Sequence, residues 1–496
     1  MKNTKIVALV AAVALLVIGA AFTSFAAQYN WYEQDGEWRC KDKNGEDYTE
    51  AWAKSGADWY WLNDEGFMAR ETLVDDDTKY VDADGKMVTN DWKEIEDEEG
   101  NAYWYYFQAG GKKLVGKEKV KPVTVNGKKY IFNDAGQMKT GWVRENYEDT
   151  DQSDEDEGWR DGIWYCGDDG AVTYGWRQIE VIDSTADFLD NNYWFYFGSD
   201  GKKIEAKEDA VYAKKSINGK SYVFDADGVM KSEWQAVYNT AATASNLIDS
   251  YAWYQSAEIG AKFAKGWFRV IPQGNVDPDN NYEETAKWFY AKSGQLYANN
   301  IKSIGGKKYG FNAAGEMVTG LCAVNFAADG EFQSFAAVGI DDALVLGTYT
   351  VPGASARLYY FSDDEDNDGS MKLGSQKITV DGDEYDFYFS KKNGKKGQGV
   401  DGKEGSKYYV NGKKIAADDA VAEYQLLGID PEASDYLTFV DPKSQDGFST
   451  VDYALISKTG TVIKSTSKKD GNGYKFVYNK KDAEHDDPYW TYEVEE

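Results

Sequence analysis

A short aromatic unit recurs along most of this chain of 496 residues, and it constrains the fold more than any other feature of the sequence. Each copy has an aromatic run, a turn rich in Asn, Asp and Gly, and then an apolar residue with a polar exit. Period-two alternation on both sides of such a turn predicts a β-hairpin. Clear copies are Trp59–Leu62 with Gly66, Trp104–Phe107 with Gly111, Tyr130–Phe132 with Gly136 and Met138, Trp164–Tyr165 with Gly170, Trp194–Phe197 with Gly201, Tyr222–Phe224 with Gly228, and Trp288–Tyr290 with Gly294.

These hairpins are expected to stack on one another. A single hairpin buries too little ring surface to be stable in water, so neighbours must share aromatic side chains across their junctions. The segment Val125–Tyr130 returns as Ile217–Tyr222 and as Ile304–Tyr309, at a spacing of about 90 residues, or three hairpins per long repeat. We therefore predict an all-β fold, a β-hairpin repeat solenoid followed by a less regular, β-rich C-terminal region.

The repeat pattern divides the chain into three segments. Residues 1–26 have the layout of a signal peptide, because Lys2 and Lys5 precede an apolar run that ends in small residues. Residues 27–320 carry the regular aromatic hairpins, and residues 321–496 form a divergent repeat region with atypical segments. An uncleaved N-terminal anchor is the alternative to a signal peptide, and it would be the chain's one membrane contact. Both readings predict a secreted protein at the cell surface or cell wall.

Composition narrows the classes of partner. The 37 Tyr, 22 Phe and 17 Trp favour strands that carry flat rings over helices with an aliphatic stripe. A formal net charge of −30 makes nucleic acid and anionic lipid poor partners, since phosphates would meet a repelling field. Sugars, amines and cations suit such a surface better.

The sequence also argues against catalysis. His485 is the one histidine in the chain, which excludes zinc sites built on two or three His and leaves little for Ser-His or Cys-His chemistry. Paired carboxylates could still serve a glycosidase, but no repeat-free stretch is long enough for an independent catalytic domain. We therefore predict that the chain is not an enzyme. Cys40, Cys166 and Cys322 are too few for a disulfide framework and are expected to be small buried hydrophobes, with one bridge left open.

The run from Tyr130 to Trp142, Tyr-Ile-Phe-Asn-Asp-Ala-Gly-Gln-Met-Lys-Thr-Gly-Trp, resembles the cell-wall-binding repeat family. That family includes choline-binding repeats of surface proteins and autolysins, glucan-binding repeats of glucosyltransferases, and carbohydrate-binding repeats of clostridial toxins. The resemblance extends from Trp38 to Gly320 and is loose beyond. It implies a left-handed β-solenoid in which ligands sit in aromatic clefts between consecutive hairpins.

The resemblance also implies which rings form these clefts. Ring faces attract quaternary ammonium groups, at about 0.5 to 2 kcal/mol per ring, and can pack against the C–H faces of sugars. The alternative is that most rings form the shared core of the array. The implied cleft residues are Trp142 with Trp164 and Tyr165, Trp176 with Trp194 and Tyr196, Trp234 with Trp253 and Tyr254, and Trp267 with Trp288 and Tyr290.

Two departures from choline-binding arrays favour another ligand. Acidic inserts at 146–161, 183–192 and 274–285 interrupt the hairpins, and several exit sequences are altered, as at Trp92 and Trp234. We therefore favour a cell-wall polysaccharide, teichoic acid or other glycan as the partner. A choline-binding surface protein held on teichoic acid, and a structural or adhesin display protein, are the two alternatives.

A calcium site is a secondary expectation. Asp364, Asp366, Asp368 and Gly369 match the opening of an Asp-x-Asp-x-Asp-Gly loop, but Ser375 stands where the bidentate Glu would be. A solvated acidic turn is the alternative, and no other cofactor is expected.

Overall fold

The structure, a computed structural model, describes residues 29–146, 152–153, 156–186, 190–238, 247–274, 285–327, 330–337, 357–362, 368–380, 382–418, 420–430 and 437–495. The predicted signal peptide lies outside this part of the chain. Contacts divide the chain into two units, which are described separately. Unit 1 comprises Met1–Glu205 with Asp227–Val229, and unit 2 comprises Ala206–Ala226 with Met230–Glu496.

Unit 1 is built from antiparallel two-stranded hairpins. Consecutive strands pair, except that β11 pairs with β14 around the small β12–β13 hairpin of the first acidic insert. The strands are β1 Asn30–Gln34, β2 Glu37–Lys41, β3 Ala51–Ser55, β4 Asp58–Leu62, β5 Thr72–Val74, β6 Lys79–Val81, β7 Asp91–Glu96, β8 Ala102–Phe107, β9 Val123–Val125, β10 Lys128–Tyr130, β11 Gly141–Val143, β12 Gln152–Ser153, β13 Asp156–Glu157, β14 Trp164–Cys166, β15 Gly175–Ile182 and β16 Asp190–Phe197.

Unit 2 begins with the same hairpins and then changes to wider sheets. Its hairpin part contains β17 Ala213–Ile217, β18 Lys220–Phe224, β19 Glu233–Ala236, the 3₁₀ helix Leu247–Ser250, β20 Tyr251–Tyr254, β21 Lys265–Val270, β22 Lys287–Lys292, β23 Gln295–Leu296, β24 Asn300–Ile304 and β25 Lys307–Phe311. Strands β26 Gly320–Phe326, β27 Phe332–Ala337 and β28 Arg357–Phe361 form a sheet in the order β27-β26-β28.

The C-terminal part of unit 2 is assembled from sheets of four and five strands. Their orders are β29-β30-β33-β32-β31, β35-β34-β37-β38 and β36-β41-β40-β39. The strands are β29 Gly374–Val380, β30 Asp383–Phe389, β31 Gly402–Glu404, β32 Lys407–Val410, β33 Lys413–Lys414, β34 Tyr424–Ile429, β35 Leu437–Val440, β36 Phe448–Ser449, β37 Tyr453–Ser457, β38 Val462–Ile463, β39 Lys468–Lys469, β40 Tyr474–Asn479 and β41 Tyr489–Val494. Leu426, Leu455, Phe476 and Trp490 form one core between the two four-stranded sheets.

The hairpin turns follow directly from the Asn-Asp-Ala-Gly type of sequence. In the turn after β10, the carbonyl of Asn133 accepts the N–H of Gly136 at 3.0 Å, and its side chain accepts the N–H of Gln137 at 2.8 Å. Gly136 has a φ of +84°, which a residue with a Cβ adopts only with strain. The side chain at the start of the turn therefore closes it, and the glycine lets the chain reverse.

Within each unit, a hydrogen bond links several hairpins to the hairpin before them. The residue two positions after the turn glycine donates its N–H to the second strand of the preceding hairpin. Met87 donates to the Trp59 carbonyl, Met138 to Trp104 and, in unit 2, Met317 to Trp288, each at 2.8 Å. This exit bond confirms that hairpins stack in both units. The predicted all-β hairpin fold is confirmed, whereas the predicted boundary at residue 320 stays a prediction.

The structure also bears on the three cysteines. All three cysteines carry free, buried thiols, and burial raises the pKa of Cys40 to about 11 and that of Cys166 to about 12. They pack as small hydrophobes, as predicted.

In the described ranges, no helix has the length and apolar character needed to cross a membrane.

Candidate functional site

Strands β15 and β16 place three aromatic rings on one side of their hairpin. Trp176 lies opposite Tyr196, and Trp194 lies two residues before Tyr196, so all three side chains share a face. The Trp176 ring centroid is 5.1 Å from that of Tyr196 and 6.3 Å from that of Trp194, with interplanar angles of 70° and 84°. All three rings are half-buried. We call this set the Trp176 face.

Unit 2 contains the same arrangement on β21 and β22. Trp267 lies 5.1 Å from Tyr290 and 6.4 Å from Trp288, at 73° and 88°. All three rings are again half-buried. Tyr309 and Phe311 of the next hairpin pack against Trp267, with ring centroids 4.8 and 5.8 Å from that of Trp267. We call this set the Trp267 face.

A third copy, which the sequence analysis did not assign, lies on β7 and β8. Trp92 lies opposite Tyr106 at 5.1 Å, and the register places Trp104 on the same face. Trp104 is 40% exposed, and Tyr130 and Phe132 support Trp92 at 4.9 and 5.8 Å. The missed signal is the motif Trp-aromatic-Tyr in the second strand, which all three copies share. We call this set the Trp92 face.

The predicted cleft around Trp142 is part of the core. Trp142 lies opposite Tyr165, and their ring centroids are 5.2 Å apart. Trp164 instead lies opposite Val143, so its side chain projects from the other side of the hairpin. Trp142 and Trp164 are each 2% exposed. Trp142 packs on Phe195 and Phe197 of β16. The structure therefore brings Trp142 and Tyr165 together and separates Trp164 from them.

The predicted cleft around Trp234 is likewise split between two faces. Trp234 lies opposite Trp253 at 5.2 Å, whereas Tyr254 lies opposite Glu233 and is buried. Trp234 packs on Phe289 at 5.1 Å, and its Nε1 donates to the Ile271 carbonyl at 2.8 Å. Burial raises the pKa of Tyr254 above its ordinary value. These rings hold two hairpins together.

A lysine of the chain covers a related set of rings near the N-terminus. Trp52 lies opposite Trp61 at 5.3 Å, and the Nζ of Lys79 stands 4.9 Å from the centre of the Trp52 ring. Asp75 accepts hydrogen bonds from the Lys79 Nζ at 2.8 Å and from the Trp52 Nε1 at 3.1 Å. The hydrogen bond from Lys79 lowers the pKa of Asp75. An ammonium group is therefore a suitable neighbour for these rings.

The predicted calcium ligands fall mostly outside the described residues, since Asp364 and Asp366 lie there. The carboxylate of Asp368 contacts Lys307 and lies 3.6 Å from the Nζ of Lys372. The hydrogen bond from Lys307 is among the interactions that lower the pKa of Asp368, against the opposing effect of burial. Within the part of the chain that the structure describes, no group of three His, Cys, Asp or Glu side chains could hold a metal ion.

The stacked hairpins and the three aromatic faces together define a protein built from aromatic β-hairpin repeats. No family model matches the chain. It is similar to glucosyltransferase-S of Streptococcus mutans, with 24% identity over 296 residues, which is 59% of this chain and 16% of that enzyme. Glucosyltransferase-I of Streptococcus downei is 25% identical over 307 residues, 56% of this chain and 16% of that enzyme. The chain thus spans about a sixth of the length of these relatives.

The chain is also similar to solved structures of two pneumococcal proteins. One is the modular autolysin LytC of Streptococcus pneumoniae in complex with a synthetic peptidoglycan ligand. The alignment covers 60% of this chain and 54% of the LytC chain, with 18% identity and a TM-score of 0.34. The other is the choline-binding domain of CbpL from the same organism. That alignment covers 42% of this chain and 98% of the CbpL domain, with 24% identity and a TM-score of 0.25. The predicted resemblance to the choline- and glucan-binding repeat family is confirmed.

Proposed function

We propose that the chain is a non-catalytic binding protein of a Gram-positive cell surface that holds a cell-wall polysaccharide or other glycan on its three-ring faces. The observation that carries the proposal is the repetition of one geometry at the Trp92, Trp176 and Trp267 faces, within the described residues. Trp142, a core ring, is 2% exposed, whereas the rings of the three faces are half-buried or, at Trp104, 40% exposed. Rings that bind a partner must keep a surface in water, as these do.

The geometry of each face suits a sugar. In the Trp176 and Trp267 faces two rings meet nearly at right angles, so they form a corner in which one plane can pack against the C–H face of a pyranose while the other closes its side. Hydroxyl groups at the rim of the sugar then remain hydrated or bond to polar ring edges. A corner of this kind needs no charged residue, which fits a neutral polysaccharide.

Repetition of the face compensates for weak binding at each copy. A single ring corner buries little area, so affinity for one sugar is expected to be low. A polymer that engages two faces gains avidity, commonly by a factor of about 10² to 10⁴ over one site. A polymeric wall or glucan partner is therefore favoured over a free sugar.

The non-catalytic role is supported by the chemistry of the side chains. The ring of His485 stacks on Tyr489 at 3.7 Å, and its Nδ1 lies 3.0 Å from the Asp482 Oδ1 at an exposed site. The cysteines are buried with raised pKa values, so they are poor nucleophiles. The similarity to glucosyltransferases covers about a sixth of those enzymes. Secretion is proposed from the signal-peptide pattern of residues 1–26.

Choline of teichoic acid is the second candidate ligand. Its support is the ammonium of Lys79 over Trp52, since a quaternary ammonium can take the same place over a free ring. Choline has no hydroxyl-rich ring plane to fill a corner, whereas a sugar does. The wall glycan is therefore the primary proposal.

The test is sedimentation of the mature chain with purified Gram-positive cell walls and with insoluble α-glucan, each with and without free choline. Binding to either polymer that survives choline is the expected result. Release by choline would replace the glycan proposal with the choline alternative. Absence from both pellets would contradict binding and favour the display role.

A further inference from the structure

A cleft of about 180 Å³ lies in unit 2 between the hairpin β17–β18 and the hairpin β19–β20. Its lining shares no residue with the three-ring faces, and its chemistry is different. Its walls carry lysines, tyrosines and serines instead of exposed tryptophan. The lining residues are Lys214, Lys215, Ser216, Ser221, Tyr222, Val237, Tyr238, Tyr254 and Lys262.

Two lysines from different segments converge on one ring of the cleft. The Nζ of Lys262 stands 4.7 Å from the centre of the Tyr238 ring, and that of Lys214 stands 5.5 Å from it. Lys262 donates to the Tyr238 hydroxyl, and Lys214 donates to the Val237 carbonyl at 2.5 Å. Among the described residues, neither ammonium has a carboxylate partner. Residues 239–246, which follow Tyr238 directly, contain no Asp or Glu.

A third lysine, Lys215, also lines the cleft, and the remaining polar side chains are neutral hydroxyls. Ser216 and Ser221 lie opposite each other where β17 meets β18. Tyr222 and Tyr254 complete the lining, and burial raises the pKa of Tyr254. The Tyr254 hydroxyl therefore stays protonated at physiological pH and adds no negative charge. Three positive charges and several hydroxyl donors thus surround a space lined partly by ring carbon.

The convergence of lysines on this cleft points to an anion. The formal net charge of the chain is −30, so uncompensated lysines in a cleft run against its average surface. Ammonium groups next to low-dielectric ring surface bind anions more strongly than they would in open water. A cation such as choline would be repelled here.

We propose that this cleft binds a phosphate group, either as the phosphodiester of an anionic wall polymer or as free phosphate. A tetrahedral phosphate has acceptor oxygens in several directions, which matches donors that come from two hairpins. The proposal does not depend on glycan binding at the three-ring faces. It would add a second kind of contact to a phosphate-bearing polymer.

Lys262 offers a clean way to remove the charge. It occupies the exit position that Met87, Met138 and Met317 hold in other hairpins, and its N–H makes the same exit bond, to the Ser221 carbonyl at 2.8 Å. A Cβ on Gly294 would lie 2.6 Å from the Lys262 Cε, so this side chain also packs on the next turn. Lys262→Met keeps that contact and the exit bond while it removes the ammonium.

The experiment measures binding of inorganic phosphate and of soluble poly(glycerol phosphate) to the full-length chain by isothermal titration calorimetry. The wild type is expected to bind at least one of them saturably, and Lys214→Met with Lys262→Met should weaken that binding at least tenfold. Lys220→Met, which removes an exposed lysine of the same hairpin outside the lining, is the control and should bind as the wild type does. Polymer binding without phosphate binding would identify the polymer as the source, and the reverse would identify the free ion.

Two results would overturn the proposal. One is a wild type that binds neither probe, and the other is a double variant that binds like the control while its thermal unfolding midpoint is unchanged. Alanine variants of the three-ring faces serve to separate the two proposals. They should leave phosphate binding intact, so failure of glycan binding and failure of phosphate binding can be told apart.

Discussion

At the scale of single residues, the turn glycines of several hairpins pack against the exit side chain of the hairpin before them. A Cβ on Gly111 would lie 2.5 Å from the Met87 Sδ and 3.0 Å from its Cγ. A Cβ on Gly201 would lie 2.7 Å from a methyl carbon of Val172. The glycine is therefore required twice, once for a positive φ and once for this close approach.

Gly111→Ala separates these two requirements when it is compared with Gly127→Ala. Gly127 has a similar φ of +84°, but a Cβ there would meet no atom within 4 Å. Gly127→Ala should lower the free energy of unfolding by about 1–2 kcal/mol through backbone strain. Gly111→Ala should lower it by about 1–3 kcal/mol more through overpacking, as measured by urea unfolding. Equal losses at the two positions would contradict the role of the close approach.

At the scale of elements, the hairpins are joined by aromatic rings that reach from one pair of strands to the next. Trp142 on β11 packs on Phe195 and Phe197 of β16, at 5.0 and 5.9 Å. In unit 2, Trp234 on β19 packs on Phe289 of β22 in the same way. Such contacts explain why a hairpin too small to be stable alone is stable in an array.

Replacing Trp142 should therefore cost much more stability than replacing an exposed ring. Trp142→Ala empties a buried site and should lower the free energy of unfolding by about 3–5 kcal/mol. Trp104→Ala, at a ring that is 40% exposed, should lower it by about 1 kcal/mol or less. Guanidinium unfolding followed by far-UV circular dichroism measures both. Similar losses for the two variants would show that the Trp142 ring does not join the hairpins.

The sequence predicts the elements better than it predicts their open faces. Period-two alternation and glycine turns are local, so β4, β8 and β16 could be located from them. Which ring stays exposed depends on register, and a shift of one residue moves a side chain to the other face. For Trp164 and Tyr254 period-two alternation alone is decisive, because each adjoins a ring of its predicted cleft, Tyr165 or Trp253, and neighbours on a strand point to opposite faces. Trp92 was overlooked because its preceding Asp91 alters the expected exit motif.

Contacts between hairpins are also beyond what a local pattern can indicate. Lys203 fills an exit position, and its Nζ donates to the carbonyls of Trp159 and Arg160 at 3.2 and 2.8 Å. Its side chain is fully buried, although a lysine at the exit position of a hairpin would be expected from the sequence to be exposed to solvent. The partners are more than 40 residues away in the sequence. Only the stacked structure shows that Met and Lys serve the same position.

At the scale of the whole molecule, a strongly acidic chain carries faces built from neutral aromatic rings, with Glu94 opposite Trp104 and Arg269 opposite Trp288. The net charge of −30 keeps the chain soluble and disfavours polyanions at most of its surface. Neutral glycan can therefore approach the three-ring faces without an electrostatic penalty. The lysine-lined cleft of unit 2 is a local exception that would accept a phosphate.

The central claim is that the half-exposed tryptophans of the three-ring faces bind glycan. Trp104, Trp194 and Trp288 occupy the same position in their hairpins, each two residues before the tyrosine of its face. The most direct measurement is sedimentation of the triple variant Trp104→Ala, Trp194→Ala, Trp288→Ala with the polymer that the wild type binds. We expect the apparent affinity to fall at least a hundredfold, with circular dichroism spectra unchanged. A triple variant that folds normally and binds the polymer as tightly as the wild type would contradict the account.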